Sequence, residues 1–161
     1  MSTCLRFLFL ISLCFWLGSI FFFSLVTAPS VFGALPKPEA GALISVIFDK
    51  YYIVQYILGV ISIISLLLLI FLHSNSEKKF RIIRLVLILL MFVMTLFSGT
   101  YVRNSAIEAK SVMTSSEPAS QLYIDSNKRF KSSHRNSVII NGLVFLSGIV
   151  ILYNIAKKNE I

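Results

Sequence analysis

Four apolar stretches, each about twenty residues long, fill most of this chain: 7–28, 51–72, 82–102 and 138–156. At about 1.5 Å per helical residue, each reaches across the roughly 30 Å of hydrocarbon in a bilayer. Lipid offers nothing that hydrogen-bonds a peptide group, so each stretch must satisfy its own backbone as a helix. The sequence therefore predicts an all-α fold, an antiparallel up-down four-helix bundle integral to the membrane, with all 161 residues in one domain. Hydrophobic residues make up 57% of the chain and charged residues only 14%, too few charges to clothe a water-soluble globule. The same balance excludes a disordered chain, a disulfide-stapled secreted domain and a soluble nucleotide-binding enzyme.

A cleavable signal competes for the first span, because Arg6 precedes it and small residues close it at Val26-Thr27-Ala28. Its apolar run is longer than the usual core of about 7–15 residues, and Pro29 would follow the cut. A retained helix is expected. The second helix is expected to begin before its apolar span, near Glu39. Residues 103–137 read as one long polar, Ser-rich loop broken by Pro118, with a short amphipathic helix over 105–113 lying on the membrane surface.

Four spans place both termini on one side, here side A. The formal charge is +8, and its basic residues cluster at the ends of the spans. That pattern fits topology and anionic lipid head groups better than nucleic acid, and the basic 128–135 stretch has a single aromatic, Phe130. Seven Lys and Arg fall on side A and eight on side B. The dense basic run before the third span (Lys78, Lys79, Arg81, Arg84) favours a cytoplasmic side A. Cys4 and Cys14 are about 15 Å apart along one helix, too far to bridge, and read as small packing residues.

In a lipid-facing helix the small and polar residues carry the information. Ser12, Trp16, Ser19 and Thr27 fall near one face of the first span; Tyr52, Gln55, Gly59 and Ser62 mark the second, continued upstream by Gly41, Ser45 and Asp49. Thr95, Ser98, Gly99 and Val102 mark the third, and His134, Asn141 and Gly148, seven apart, the fourth. Most of these are expected to be close-packing contacts between helices. Gln55 and Asn141 need hydrogen-bond partners, as interhelical glue or as the lining of a small polar cavity. Connectivity gathers Asp49, Tyr52, Gln55, Arg103, Asn104, His134 and Asn141 on side B, the candidate polar cluster. Asp49 and Arg103 are expected to pair there, with His134 tuning the pair.

No catalytic constellation stands out. There is no phosphate loop, no zincin-type histidine pair and no acidic pair within a span, and the serines near His134 lack an acid partner. The two histidines, His73 and His134, sit at opposite membrane faces and exclude a bis-histidine haem within one chain. No enzyme activity, metal or cofactor is expected. The leading reading is a solute-binding, lipid-binding or transport-accessory protein; transport itself would call for a homo-oligomer or a partner membrane protein. One alternative is a metal- or haem-binding membrane protein using His134 with Asp49 or Met113. A further alternative is a purely structural subunit.

Two segments carry a resemblance. Trp16-Leu17-Gly18, then Thr27-Ala28-Pro29-Ser30-Val31-Phe32, Leu35-Pro36, Ala40-Gly41 and Phe48 with Tyr51 form the first; Arg129-Phe130 to Ser137, followed by Asn141, forms the second. Together they are similar to the transmembrane protein 205-like group, whose bacterial members form a domain-of-unknown-function family (4149). The resemblance spans roughly residues 10–150 and implies a four-helix membrane protein without an established activity, in a bacterial inner membrane. It also implies a link to tolerance of toxic compounds, from the eukaryotic relatives. Relatives often carry Pro-Arg after the third span, where this chain has Arg103-Asn104-Ser105. Trp16, Gly18, Pro29, Phe32, Pro36, Gly41 and Phe48 read as structural: Pro29 kinks or ends the first helix, Pro36 forces the turn, and Gly41 permits close packing.

Overall fold

The computed structural model describes residues 2–72, 78–118 and 120–157. His73, Asn75 and Lys158, placed at the side-A ends from the sequence, lie outside the described residues. Every regular element among the described residues is helical: α1 (Ser2–Phe22), α2 (Ala28–Ala34), α3 (Lys37–Leu72), α4 (Lys78–Phe97), α5 (Arg103–Ser115) and α6 (Gln121–Lys157). Two π-helical turns, Phe23–Thr27 and Ser98–Val102, join α1 to α2 and α4 to α5. The result is four long rods, Thr3–Ala34, Lys37–Leu72, Phe80–Ser115 and Gln121–Lys157, each long and apolar enough to cross a membrane.

The π turns have local causes. Ala28 N–H reaches back five residues to the carbonyl of Phe23, just ahead of Pro29. Proline lacks the N–H for the normal bond and its ring crowds the carbonyl four residues earlier; widening the preceding turn accommodates that carbonyl. So Pro29 neither ends the helix nor breaks it. Arg103 N–H likewise donates to Ser98 O, in a turn containing Gly99 and no proline. Leu35, extended before Pro36, ends the rod, and α3 begins at Lys37 with Glu39 in its first turn, close to the start expected from the sequence.

The expected polar loop is a helical hairpin instead. Residues 103–115 continue the third rod, and α6 starts at Gln121, leaving only a short connection around Pro118. Ser120 caps α6, its Oγ accepting from Tyr123 N–H at 3.2 Å. The amphipathic helix expected over 105–113 exists, but as an extension of a spanning rod. At 36 and 37 residues, the last two rods run to about 54 Å, well past the hydrocarbon.

Contacts divide the chain into two compact units, Met1–Phe92 with Phe145–Ile161, and Val93–Val144. In the first, segments of four helices form an up-down bundle. α1 meets α3 through Ser12 and Ser62, α3 meets α4 where Gly59 faces Phe92, and Arg84 donates to Asn154 O between α4 and α6. Gly148 against Leu17 closes the ring between α6 and α1. Trp16, fully enclosed, meets Phe92 edge-on across the middle, with centroids 6.5 Å apart. Buried positions on α4 and its continuation run Arg81, Arg84, Ile88, Met91, Thr95, Ser98 and Val102, in alternating steps of three and four. That is the 3.5-residue period of left-handed helix packing.

Two glycines make the close approaches. A Cβ on Gly59 would collide with the Phe92 ring and lie 3.1 Å from Trp16 Cη2; one on Gly148 would collide with Leu17. A Cβ on Gly18 would meet nothing within 4 Å, so that motif residue does no close packing in this chain. Gly59→Ala and Gly148→Ala should each destabilise by about 1–3 kcal/mol, the usual range for overpacking. Gly18→Ala should leave the melting temperature in detergent unchanged or slightly raised. Equal behaviour of all three would contradict this packing.

Candidate functional site

Inside the first unit two pairs of polar side chains on the seam are matched to one another, while Trp16 Nε1 and Tyr51 OH are buried without a hydrogen-bond partner among the described residues. Ser12 Oγ donates to Phe9 O at 3.0 Å and lies 2.8 Å from Ser62 Oγ. Gln55, 1% exposed, donates through Nε2 to Ser19 Oγ at 2.7 Å, and Ser19 passes a bond to Trp16 O at 2.7 Å. Of the two roles open to Gln55, glue between helices is the one it fills. Tyr52, Gln55, Gly59 and Ser62 all face this seam as expected. Their upstream continuation does not: Gly41 and Ser45 are half-buried and Asp49 is exposed, while Ala40 and Ile44 are buried. Steps of four advance about 40° beyond a full turn, so the stripe rotates off the seam.

Aromatic rings close the side-B end of this seam. Phe23 lies 4.6 Å from Phe48 and 4.8 Å from Tyr51 between ring centroids, and Phe48 stacks on Tyr52 at 5.8 Å. Phe48 thus works as a packing residue. Of the other motif residues, Pro29, Phe32 and Pro36 are exposed. Cys4 and Cys14 are exposed too, so they face away from the helix contacts they were expected to fill.

In the second unit, small residues bring α5 and α6 together. Ser133 Oγ donates to Ser105 Oγ at 3.3 Å, Arg129 reaches Ser105 and Glu108, both within 3.1 Å, and Ala109 is buried. Ser98 and Ser137 are 3.5 Å apart. The seam here is serine-lined. His134, expected on the inner face with Asn141 and Gly148, is exposed beside buried Ser133, and Asn141 is half-buried. Asn104 is exposed and Arg103 half-buried. Of the seven side-B residues, Asp49, Tyr52 and Gln55 belong to the first unit and Arg103, Asn104, His134 and Asn141 to the second. Among the described residues, no three of His, Cys, Asp and Glu come together as a metal-binding group.

Sequence reasoning missed the opposite end of the first unit. There a small half-open cleft of about 30 Å³ is lined by Arg6, Arg81 and Arg84, with apolar walls that include Phe9, Leu66 and Ile155. Arg81 and Arg84 are only 8% and 7% exposed. Their guanidiniums donate to main-chain oxygens, Arg81 to Leu69 O at 3.1 Å and Arg84 to Asn154 O at 3.4 Å. A signal for this was in the sequence: the three-four spacing from Ile88 to Val102, extended backwards, lands on Arg84 and Arg81.

Four long apolar rods define a multi-pass helical membrane protein. It belongs to the DUF4149 family, a domain of unknown function, whose family profile matches residues 11–115. The match contains the Trp16-to-Tyr51 motif and ends before the Arg129-to-Asn141 segment, so it is shorter than the resemblance read from the sequence. No curated protein and no solved structure matches the chain.

The seam hydrogen bonds predict small couplings. Double-mutant cycles of Ser12→Ala with Ser62→Ala, and of Ser19→Ala with Gln55→Leu, should each give about 0.6 kcal/mol, the average for interhelical bonds in membranes. Denaturation in mixed micelles measures this. Couplings of zero in both cycles would mean these pairs do not form.

Proposed function

We propose that this is a non-catalytic membrane protein that binds a solute or lipid or assists a transporter, contributing to tolerance of toxic compounds. Its first unit serves as the membrane anchor, and its side-B helical hairpin as the contact surface. One observation carries this reading. In the hairpin Ser126 and Ser133 turn inward, while Asn104, Lys128, Lys131, His134 and Arg135 are exposed. Lys128, Lys131 and Arg135 follow steps of three and four and so share one outward face of α6. A basic face of this kind suits an anionic solute, a lipid head group or an acidic patch on a partner membrane protein.

Because these side chains are exposed, their removal should spare folding. The combined variant Lys128→Gln, Lys131→Gln, His134→Ala and Arg135→Gln should keep its melting temperature within about 2 °C, since surface substitutions usually cost less than about 0.5 kcal/mol. It should also lose at least half of the tolerance that the wild-type chain restores to a deletion strain. Full tolerance in that variant would remove the hairpin from the function and favour a purely structural subunit.

The reading also places the protein in the inner membrane of a bacterium, with both termini in the cytoplasm. The basic start of α4 supports that orientation. Reporter fusions at residue 161 should be active only with a cytoplasmic reporter, and fusions at 118 only with a periplasmic one. The reverse pattern would invert the topology.

A further inference from the structure

We propose that α6 docks the helix of another membrane protein, one whose apolar span continues on side B into an acidic segment. The proposal rests on the hairpin being the contact surface and names what it contacts. Lys128, Lys131, Arg135, Ile139 and Gly142 follow steps of three and four along α6. They fall within about 80° around the helix, and all five are exposed within the second unit. One strip of one helix thus passes from basic to apolar where α6 enters the hydrocarbon.

The basic half is uncompensated. Lys128, Lys131 and Arg135 make no hydrogen bond or ion pair among the described residues. Of the hairpin's acids, Glu108 is paired with Arg129, Asp125 accepts from Gln121, and Glu117 lies in the connection ahead of α6. The apolar half is equally open. A Cβ on Gly142 would meet nothing within 4 Å, unlike one on Gly59 or Gly148, so among the described residues no other helix fills that space. Small residues on membrane helices are where a second backbone approaches closely.

Depth and shape select the occupant. Lys128 precedes the apolar span at Val138 by ten residues, about 15 Å along the axis. The head-group layer is only about 5–8 Å thick, so Lys128 and Lys131 stand beyond it. Small-molecule sites are concave, whereas this strip is the convex outside of one helix. A second copy of the chain, related by a twofold axis along the membrane normal, would set the same cations against each other. An acidic helix alongside α6 satisfies every condition. Its carboxylates pair with three cations a turn apart, and its span packs on Ile139 and Gly142.

The test uses the full chain in phosphatidylcholine bilayers with synthetic single-span peptides. Each peptide has an apolar span of about twenty residues and a helical extension bearing three glutamates. In one peptide the glutamates follow steps of three and four; in the other they are scattered around the helix. Energy transfer between labelled chain and peptide measures association. The face-matched peptide should bind about tenfold more tightly, the scale of three exposed ion pairs together. Lys128→Glu, Lys131→Glu and Arg135→Glu combined should remove that preference. Gly142→Leu should weaken the matched peptide about threefold, the scale of one interhelical contact, without lowering the melting temperature. In the deletion strain Gly142→Leu should also reduce tolerance, which a solute or head group held by the cations alone does not require. Equal binding of the two peptides would overturn the docked helix. If the hairpin variant neutralised at 128, 131, 134 and 135 still loses tolerance, the contact surface itself survives that result. Selective enrichment of phosphatidylglycerol around the chain, without any peptide preference, would make a lipid the occupant and overturn the proposal too.

Discussion

A peptide group in lipid has no partner except another peptide group, and this one constraint organises the chain. It forces four long helices and keeps them helical even through Pro29, where a widened turn accommodates the unpaired carbonyl instead of a break. Once every backbone bond is made within a helix, only side chains are left to hold the helices together. Hydrophobic burial gives little between apolar helices in an apolar solvent, so small and polar residues take over. Ser12 with Ser62, Gln55 with Ser19, and the contacts at Gly59 and Gly148 are the result in the first unit.

Much of that interior was legible in the sequence. Tyr52, Gln55, Gly59 and Ser62 stand out because polar residues inside a membrane must face other protein, and their spacing keeps them on one seam. The extension through Gly41, Ser45 and Asp49 failed for a geometric reason: repeated steps of four precess around the helix. Gly18 makes no close contact in its helix, since a glycine permits close packing but does not require it.

The hairpin was misread for a physical reason as well. Residues 103–137 are polar and lack an apolar run, which resembles a loop when the surrounding chain is judged by hydropathy. The segment nevertheless holds good helix formers such as Ala106, Glu108, Ala109 and Lys110, and Pro118 is its one strong breaker. Beyond the hydrocarbon the meaning of polarity also reverses. Within lipid a polar side chain points inward; in water it points outward. His134 lies in the part of α6 where the second rule holds, and it is exposed while the smaller Ser133 packs against Ser105.

The arginines of the side-A cleft illustrate the converse error, in which charge is read only as topology. Their count bears on which side faces the cytoplasm, whereas their register places Arg81 and Arg84 on the packing seam. The account as a whole holds that polar residues of the seam are sealed within protein and that those of the hairpin meet water. Single cysteines introduced into a Cys4→Ser, Cys14→Ser background, labelled in vesicles of either orientation with a membrane-impermeant maleimide, test this most directly. The account predicts labelling at positions 104, 131 and 134 and none at 12, 55 and 62. Labelling at 55 and 62 would reveal a water-filled interior and contradict it.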